Sequence, residues 1–184
     1  FTSKFIWDKG ILIMASNLQF ITSSSGSNVS SHSIENCFDA RYDVYKVVID
    51  TLEFASSDGA FRFINSSGVV SSSNYDDAVH LQRSYGNFGD NQNSGATSLG
   101  SIGFYDPASG VNQGKGNATV INIYNPFNSD SYTYATWQNT GISSIGPPVR
   151  RGVGVLKVSE SHTGINFTGG ATILAVKASI YGVK

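Results

Sequence analysis

Residues 42–65 read YDVYKVVIDTLEFASSDGAFRFIN, and the spacing of apolar residues in this stretch sets the fold class. Val44, Val48, Leu52 and Phe54 fall on one side, and Tyr45, Val47 and Ile49 on the other. Period-2 alternation of β-branched and aromatic residues is the signal of a strand. The Val47-Val48-Ile49 run is apolar on both faces, so this strand is expected in the middle of a sheet with cover on both sides. Ser56-Ser57-Asp58-Gly59 supplies turn chemistry, with Gly59 able to take a positive φ, before Phe61 and Phe63 restart the alternation. The stretch is therefore expected to be a hairpin at the core of an all-β domain.

Outward from it, shorter strands are expected at Leu18–Thr22 and His32–Phe38, separated by the Ser/Gly-rich turn SSSGSNVSS. Val79, Leu81 and Tyr85 alternate with His80, Gln82 and Ser84, the pattern of a strand with one wet face. Residues 86–118 are Gly-, Asn-, Ser- and Asp-rich, and only Leu99–Tyr105 reads as a strand within these expected long loops. Further strands are read at Thr119–Tyr124, at Tyr132–Gln138 with Thr133, Ala135 and Trp137 on one side, and at Val153–Val158. Ile165 and Phe167 form a short piece, and Ala171–Tyr181 places Leu174, Val176, Ala178 and Ile180 on one face. No apolar helical periodicity persists for three turns. The expectation is one antiparallel β-sandwich over 17–184, in jelly-roll form, with residues 1–16 as an N-terminal arm or extra strand. Met14 is read as a strand residue of ILIMA, with a shorter start at Met14 as the alternative.

Charged residues make up 14% of the 184, and the formal net charge is −1. The ordinary charged share is roughly 25%, so Ser, Thr, Asn and Gly must build the polar surface. The thin spread of Lys and Arg excludes the basic footprint of a nucleic-acid partner. No apolar run approaches the roughly 20 residues of a bilayer span, and no signal-peptide pattern is read. The one cysteine, Cys37, excludes an intrachain disulfide framework and is expected as a small buried hydrophobe. Phe5, Ile6 and Trp7 are costly to leave in water and are expected to pack on the domain or on a neighbouring subunit, which makes them the candidate subunit interface.

No catalytic residue is assigned, and no cofactor or metal is expected. His32, His80 and His162 lack metal-ligand spacing and are read as solvated residues. No G-x-S-x-G elbow marks a serine nucleophile. Gly110–Asn117, GVNQGKGN, misses the phosphate-loop spacing, and Gly152-Val153-Gly154 lacks the third glycine of a dinucleotide fingerprint. Asp90–Gly95, DNQNSG, resembles half of an EF-hand loop but has Ser101 where the closing Glu belongs, which leaves Asp76, Asp77 and Asp90 only as weak calcium candidates. Asn28, Asn65, Asn117 and Asn166 begin chance-level glycosylation sequons. The remaining candidate is a glycan-binding surface from Tyr85, Phe88, Asp90, Tyr105, Tyr132 and Trp137, aromatic faces and polar groups suited to sugars.

Three stretches carry a likeness: LQFITSSSGSNVSSHSIENCFDARYDVYKVVIDTLEFASSDGAFRF, VINIYNPFNSDSYTYATWQN and VRRGVGVLKVSESHTGINFTGGATILAVKASIYGVK. Over 17–184 the chain resembles small virion structural proteins of marine tailed phages, of the cyanophage and pelagiphage type. The resemblance rests on strand cores and turns and carries no catalytic residue. It implies a non-enzymatic subunit on the virion surface, either decorating the capsid or built into a tail fibre or appendage. Its implied partners are copies of itself, as a homotrimer, and other virion proteins. The alternative is a lectin-like module that binds host surface glycans.

Overall fold

The structure, a computed structural model, describes residues 17–56, 58–83, 88–103, 117–141 and 147–184. Among these residues there is no helix. The strands are β1 (Leu18–Ile34), β2 (Val44–Phe54), β3 (Ala60–Asn65), β4 (Gly68–Val69), β5 (Tyr75–Arg83) and β6 (Gly89–Ala96). They continue with β7 (Leu99–Gly100), β8 (Ala118–Tyr124), β9 (Thr133–Thr140), β10 (Pro148–Leu156) and β11 (Gly164–Val183). All pairings are antiparallel, in the order β4-β3-β11-β2-β8-β9-β10-β5-β6, with β1 on β11 and β7 on β3. The all-β antiparallel class is as expected. The described strands form one continuous curled sheet, an order that does not establish the jelly-roll sandwich.

The curl is visible in contacts between strands far apart in the sheet order. The Phe61 ring of β3 meets the Trp137 indole of β9 edge-on at 5.6 Å. The Tyr75 hydroxyl of β5 accepts from the Phe63 amide of β3 and donates to the Val70 carbonyl. The Gly100 amide of β7 donates to the Asp77 carboxylate of β5. At one end, Arg150 of β10 pairs with Asp58 at 2.8 Å and donates to the Gly103 carbonyl. The sheet thus wraps a single core in which Tyr45, Val47, Ile121, Ile123, Phe61, Phe63 and Phe167 are buried.

The 42–65 stretch is not a hairpin. Strand β2 pairs with β11 from Val44↔Val183 to Phe54↔Ile173, and β3 continues along β11 from Ala60↔Thr168 to Ile64↔Gly164. The two strands run in series against the 20-residue β11. The residues between them make an excursion rather than a reversal. Gly59 holds φ +67°, and a Cβ there would lie 2.0 Å from the Phe54 ring. The expected central position does hold, since β2 lies between β11 and β8. Its faces differ from the expectation. A register shift near Asp50 changes the phase, so the buried residues are Tyr45, Val47 and Ile49, then Leu52 and Phe54, with Val48 half-buried on the outer side.

Other local signals were also redirected by pairing. The SSSGSNVSS segment lies inside the 17-residue β1, and its turn chemistry is used in a bulge between Val29 and Ser31, next to Asn28 at φ 54°. In β11, Gly169-Gly170 does not end a strand, and Ile173 rather than Leu174 joins Val176, Ala178 and Ile180 in the core. The polar GDNQNSGA, expected as loop, is edge strand β6; an edge strand needs no apolar alternation to pair. Cys37 is buried as expected. Its thiol donates to the Ile34 carbonyl, and burial pushes it up to about 12. The expected interface residues Phe5, Ile6 and Trp7 lie outside the described residues.

Candidate functional site on the outer sheet face

Strands β8, β9, β10 and β5 have one face in the core and one turned outward. Inward, the register aligns Val47, Ile121, Trp137, Gly152 and Val79, and beside them Tyr45, Ile123, Ala135, Gly154 and Asp77. The two glycines make room. A Cβ on Gly152 would lie 2.0 Å from the Trp137 indole, and one on Gly154 would lie 2.4 Å from Leu99. The Gly-Val-Gly sequence therefore serves packing, which is why it matches no nucleotide pattern.

Outward, the same registers align Val120, Gln138, Arg151, His80 and Asp90 in a row across five strands. The adjacent outward row is Asn122, Thr136, Val153, Ala78 and Gln92. Two depressions, of ≈ 690 and ≈ 580 Å³, adjoin at Arg151 and Gly152 and together follow these rows. A third, of ≈ 340 Å³, lies beside Tyr134, Val153 and Val155. Val153 is 53% exposed and Tyr134 45% exposed, so apolar surface is mixed with amide, hydroxyl and guanidinium groups.

At the β5–β6 end the His80 ring is hydrogen-bonded to the Asp90 carboxylate, and Phe88 stacks on His80 at 6.0 Å with 13° between the rings. Among the described residues, Arg151 enters no ion pair. Asp76 is held on the neighbouring row by Lys157, with the Gly95 amide and Ser94 hydroxyl also donating to it. These donors keep its carboxyl below the usual range, led by the Lys157 hydrogen bond.

The sequence-read glycan residues divide. Phe88 and Asp90 come together at this end of the face. Tyr132 is exposed just before β9 but precedes the outward row. Trp137 is a correction: it is 3% exposed and packs inward, because Thr133, Ala135 and Trp137 share the core side of β9. Tyr85 and Tyr105 lie outside the described residues. Arg151, Gln138 and Asn122 were missed as site residues. The available signal was their alternation with Gly152, Trp137 and Ile121, which places them outward once those strands pair. Asp76, Asp77 and Asp90 have separate partners: Lys157, the Asn93 amide with the Gly100 N–H, and His80. Among the described residues no group of three or more His, Cys, Asp or Glu could hold a metal ion.

One further cluster has the order of a proton relay. His162 Nδ1 lies 2.9 Å from the Thr133 hydroxyl, and its Nε2 lies 3.2 Å from a Glu160 carboxylate oxygen. His162 and Thr133 are both 0% exposed, so substrate cannot reach the hydroxyl. The cluster ties the segment before β11 to β9, helped by the His162 amide donating to the Pro126 carbonyl. Here the solvated reading of the histidines fails for His162. Desolvation lowers its basicity, with the Glu160 carboxylate opposing the shift. His32 is half-buried against Ser24, and only His80 matches a largely wet setting. Asn117 and Asn166 are also buried, which leaves no room for a sugar on either side chain. No family model, curated protein or solved structure matches the chain.

Proposed function

We propose that this chain is a non-enzymatic contact module whose working surface is the outer face of β8, β9, β10, β5 and β6. The observation carrying the reading is that face itself. It is an array of outward apolar, amide, hydroxyl and guanidinium groups, most of them on β8, β9, β10 and β5, whose opposite face is the core. Sites built on regular strands hold their groups in fixed register. The Thr133 hydroxyl and the His162 ring, by contrast, are fully buried.

Following the resemblance of residues 17–184, the setting we propose is the surface of a tailed-phage virion, as a capsid-decorating or tail-appendage subunit. Self-association there is assigned to Phe5, Ile6 and Trp7. Mass spectrometry of purified particles, together with a native mass measurement of the free chain, tests this setting. The chain is expected at stoichiometric abundance in washed particles and as a homotrimer in solution. Its absence from washed particles would overturn the virion setting, and a monomer would overturn the self-association.

A second reading is favoured by a specific arrangement. Phe88 stacked on His80, with Asp90 and Arg151 beside it, is the chemistry of a lectin-like face that binds host surface glycans.

A further inference from the structure

We infer that the groove centred on Arg151 takes an anionic oligosaccharide, carboxylated or sulfated, lying across the strands from β8 towards β6. This inference rests on reading the outer sheet face as the contact surface and names what it contacts. The row from Val120 to Asp90 crosses four inter-strand spacings of ~4.8 Å, or about 19 Å, the reach of a short oligosaccharide. The two depressions that follow this row adjoin at Arg151, so the guanidinium stands at the middle of the path.

Charge complementarity chooses the ligand class. Arg151 is exposed, and among the described residues neither it nor Lys46 enters an ion pair. Lys46 lies on the outward side of β2, opposite Asn122 in register. A guanidinium presents a planar fork of N–H donors that matches a carboxylate or sulfate in two parallel hydrogen bonds. Asp90 is the anion at the far end, and His80 already engages it, which directs an acidic sugar to the Arg151 side. Gln138, Asn122 and Thr136 can donate to and accept from hydroxyls along the same path. The exposed face of Phe88, its other side on His80, offers the apolar platform on which a sugar ring stacks.

Titration calorimetry with three defined tetrasaccharides tests this: a uronate, a sulfated glycosaminoglycan fragment and a neutral glucan. At least one anionic tetrasaccharide is expected to bind roughly tenfold tighter than the neutral one. Arg151→Gln is expected to erase that difference. Arg41→Gln, at an exposed pair with Asp39 away from the groove, is expected to leave it intact. The uronate and sulfated arms separate the two sources of negative charge. Equal affinity for all three sugars, no binding, or anionic preference surviving in Arg151→Gln would overturn the inference. Arg151→Gln is checked by its melting curve and by incorporation into particles. Normal incorporation of the unsubstituted chain that binds none of the three sugars would sink the glycan assignment while leaving the virion reading standing.

Discussion

The indole of Trp137 lies against the backbone of Gly152 on the neighbouring strand, so close that a Cβ at 152 would sit 2.0 Å from Cε2. The outward groove and the core therefore share one thin wall. Its outer side is the floor between Arg151 and Val153, and its inner side is the buried Trp137 indole. Gly152→Ala forces the ring or the strand to shift. It is expected to destabilise the chain by roughly 1–3 kcal/mol, the usual range for overpacking, read from urea unfolding.

Tyr75→Phe removes one oxygen that serves two backbone groups. Without it the Phe63 amide and the Val70 carbonyl lose a buried partner where the sheet curls back on itself. A loss of about 1–3 kcal/mol is expected, with no change in the outer face. The same burial raises the Tyr75 hydroxyl to about 12, so it stays protonated as a donor throughout the neutral range.

Val47 and Val48 test which side of β2 is the core. Val47→Asp places a charge at a position with 0% exposure and is expected to cost at least roughly 3–5 kcal/mol, leaving the chain unfolded or insoluble. Val48→Asp, on the half-buried outer side, is expected to fold with a loss of about 1 kcal/mol. Soluble expression and melting curves of the pair decide it; equal damage from both would contradict the register.

His162 makes stability depend on pH. Its folded pKa lies below the ordinary value of 6.5, so the unfolded chain takes up a proton first as pH falls. Its contribution is thus fully present above about pH 6.5 and is lost as pH drops through the folded pKa. His32, lowered by burial, acts in the same direction, and Glu160 is the charged group facing His162. Urea midpoints are expected to fall from pH 7 to the mid-5 range. His162→Gln is expected to flatten that slope while lowering the midpoint at pH 7. A slope unchanged in His162→Gln would remove this histidine from the account.

Period-2 alternation made strand content, the grouping of Thr133, Ala135 and Trp137 on one side of β9 and the central place of β2 legible in the sequence, but not that this side is the core. It could not show that β2 and β3 run in series along β11, because turn residues at 56–59 have the same local chemistry in a reversal and in an excursion. The 20-residue β11, a partner a hundred or more residues away, decides between them. The polar β6 was illegible for a related reason: it pairs through its backbone at the sheet edge, and its side chains carry no pattern. The outer site depends on pairing too. Gln138, Arg151 and His80 stand 13 or more residues apart, and only the register of β9, β10 and β5 brings them into one row.

The proposed contact surface is the outer face of β8, β9, β10, β5 and β6. A density map of assembled particles at side-chain resolution tests it most directly. The chain is expected on the particle exterior, with Arg151, Gln138 and Val153 facing a receptor or the solvent through which one arrives. A map in which that face is buried against the particle, with β1 or β11 turned outward instead, would contradict it.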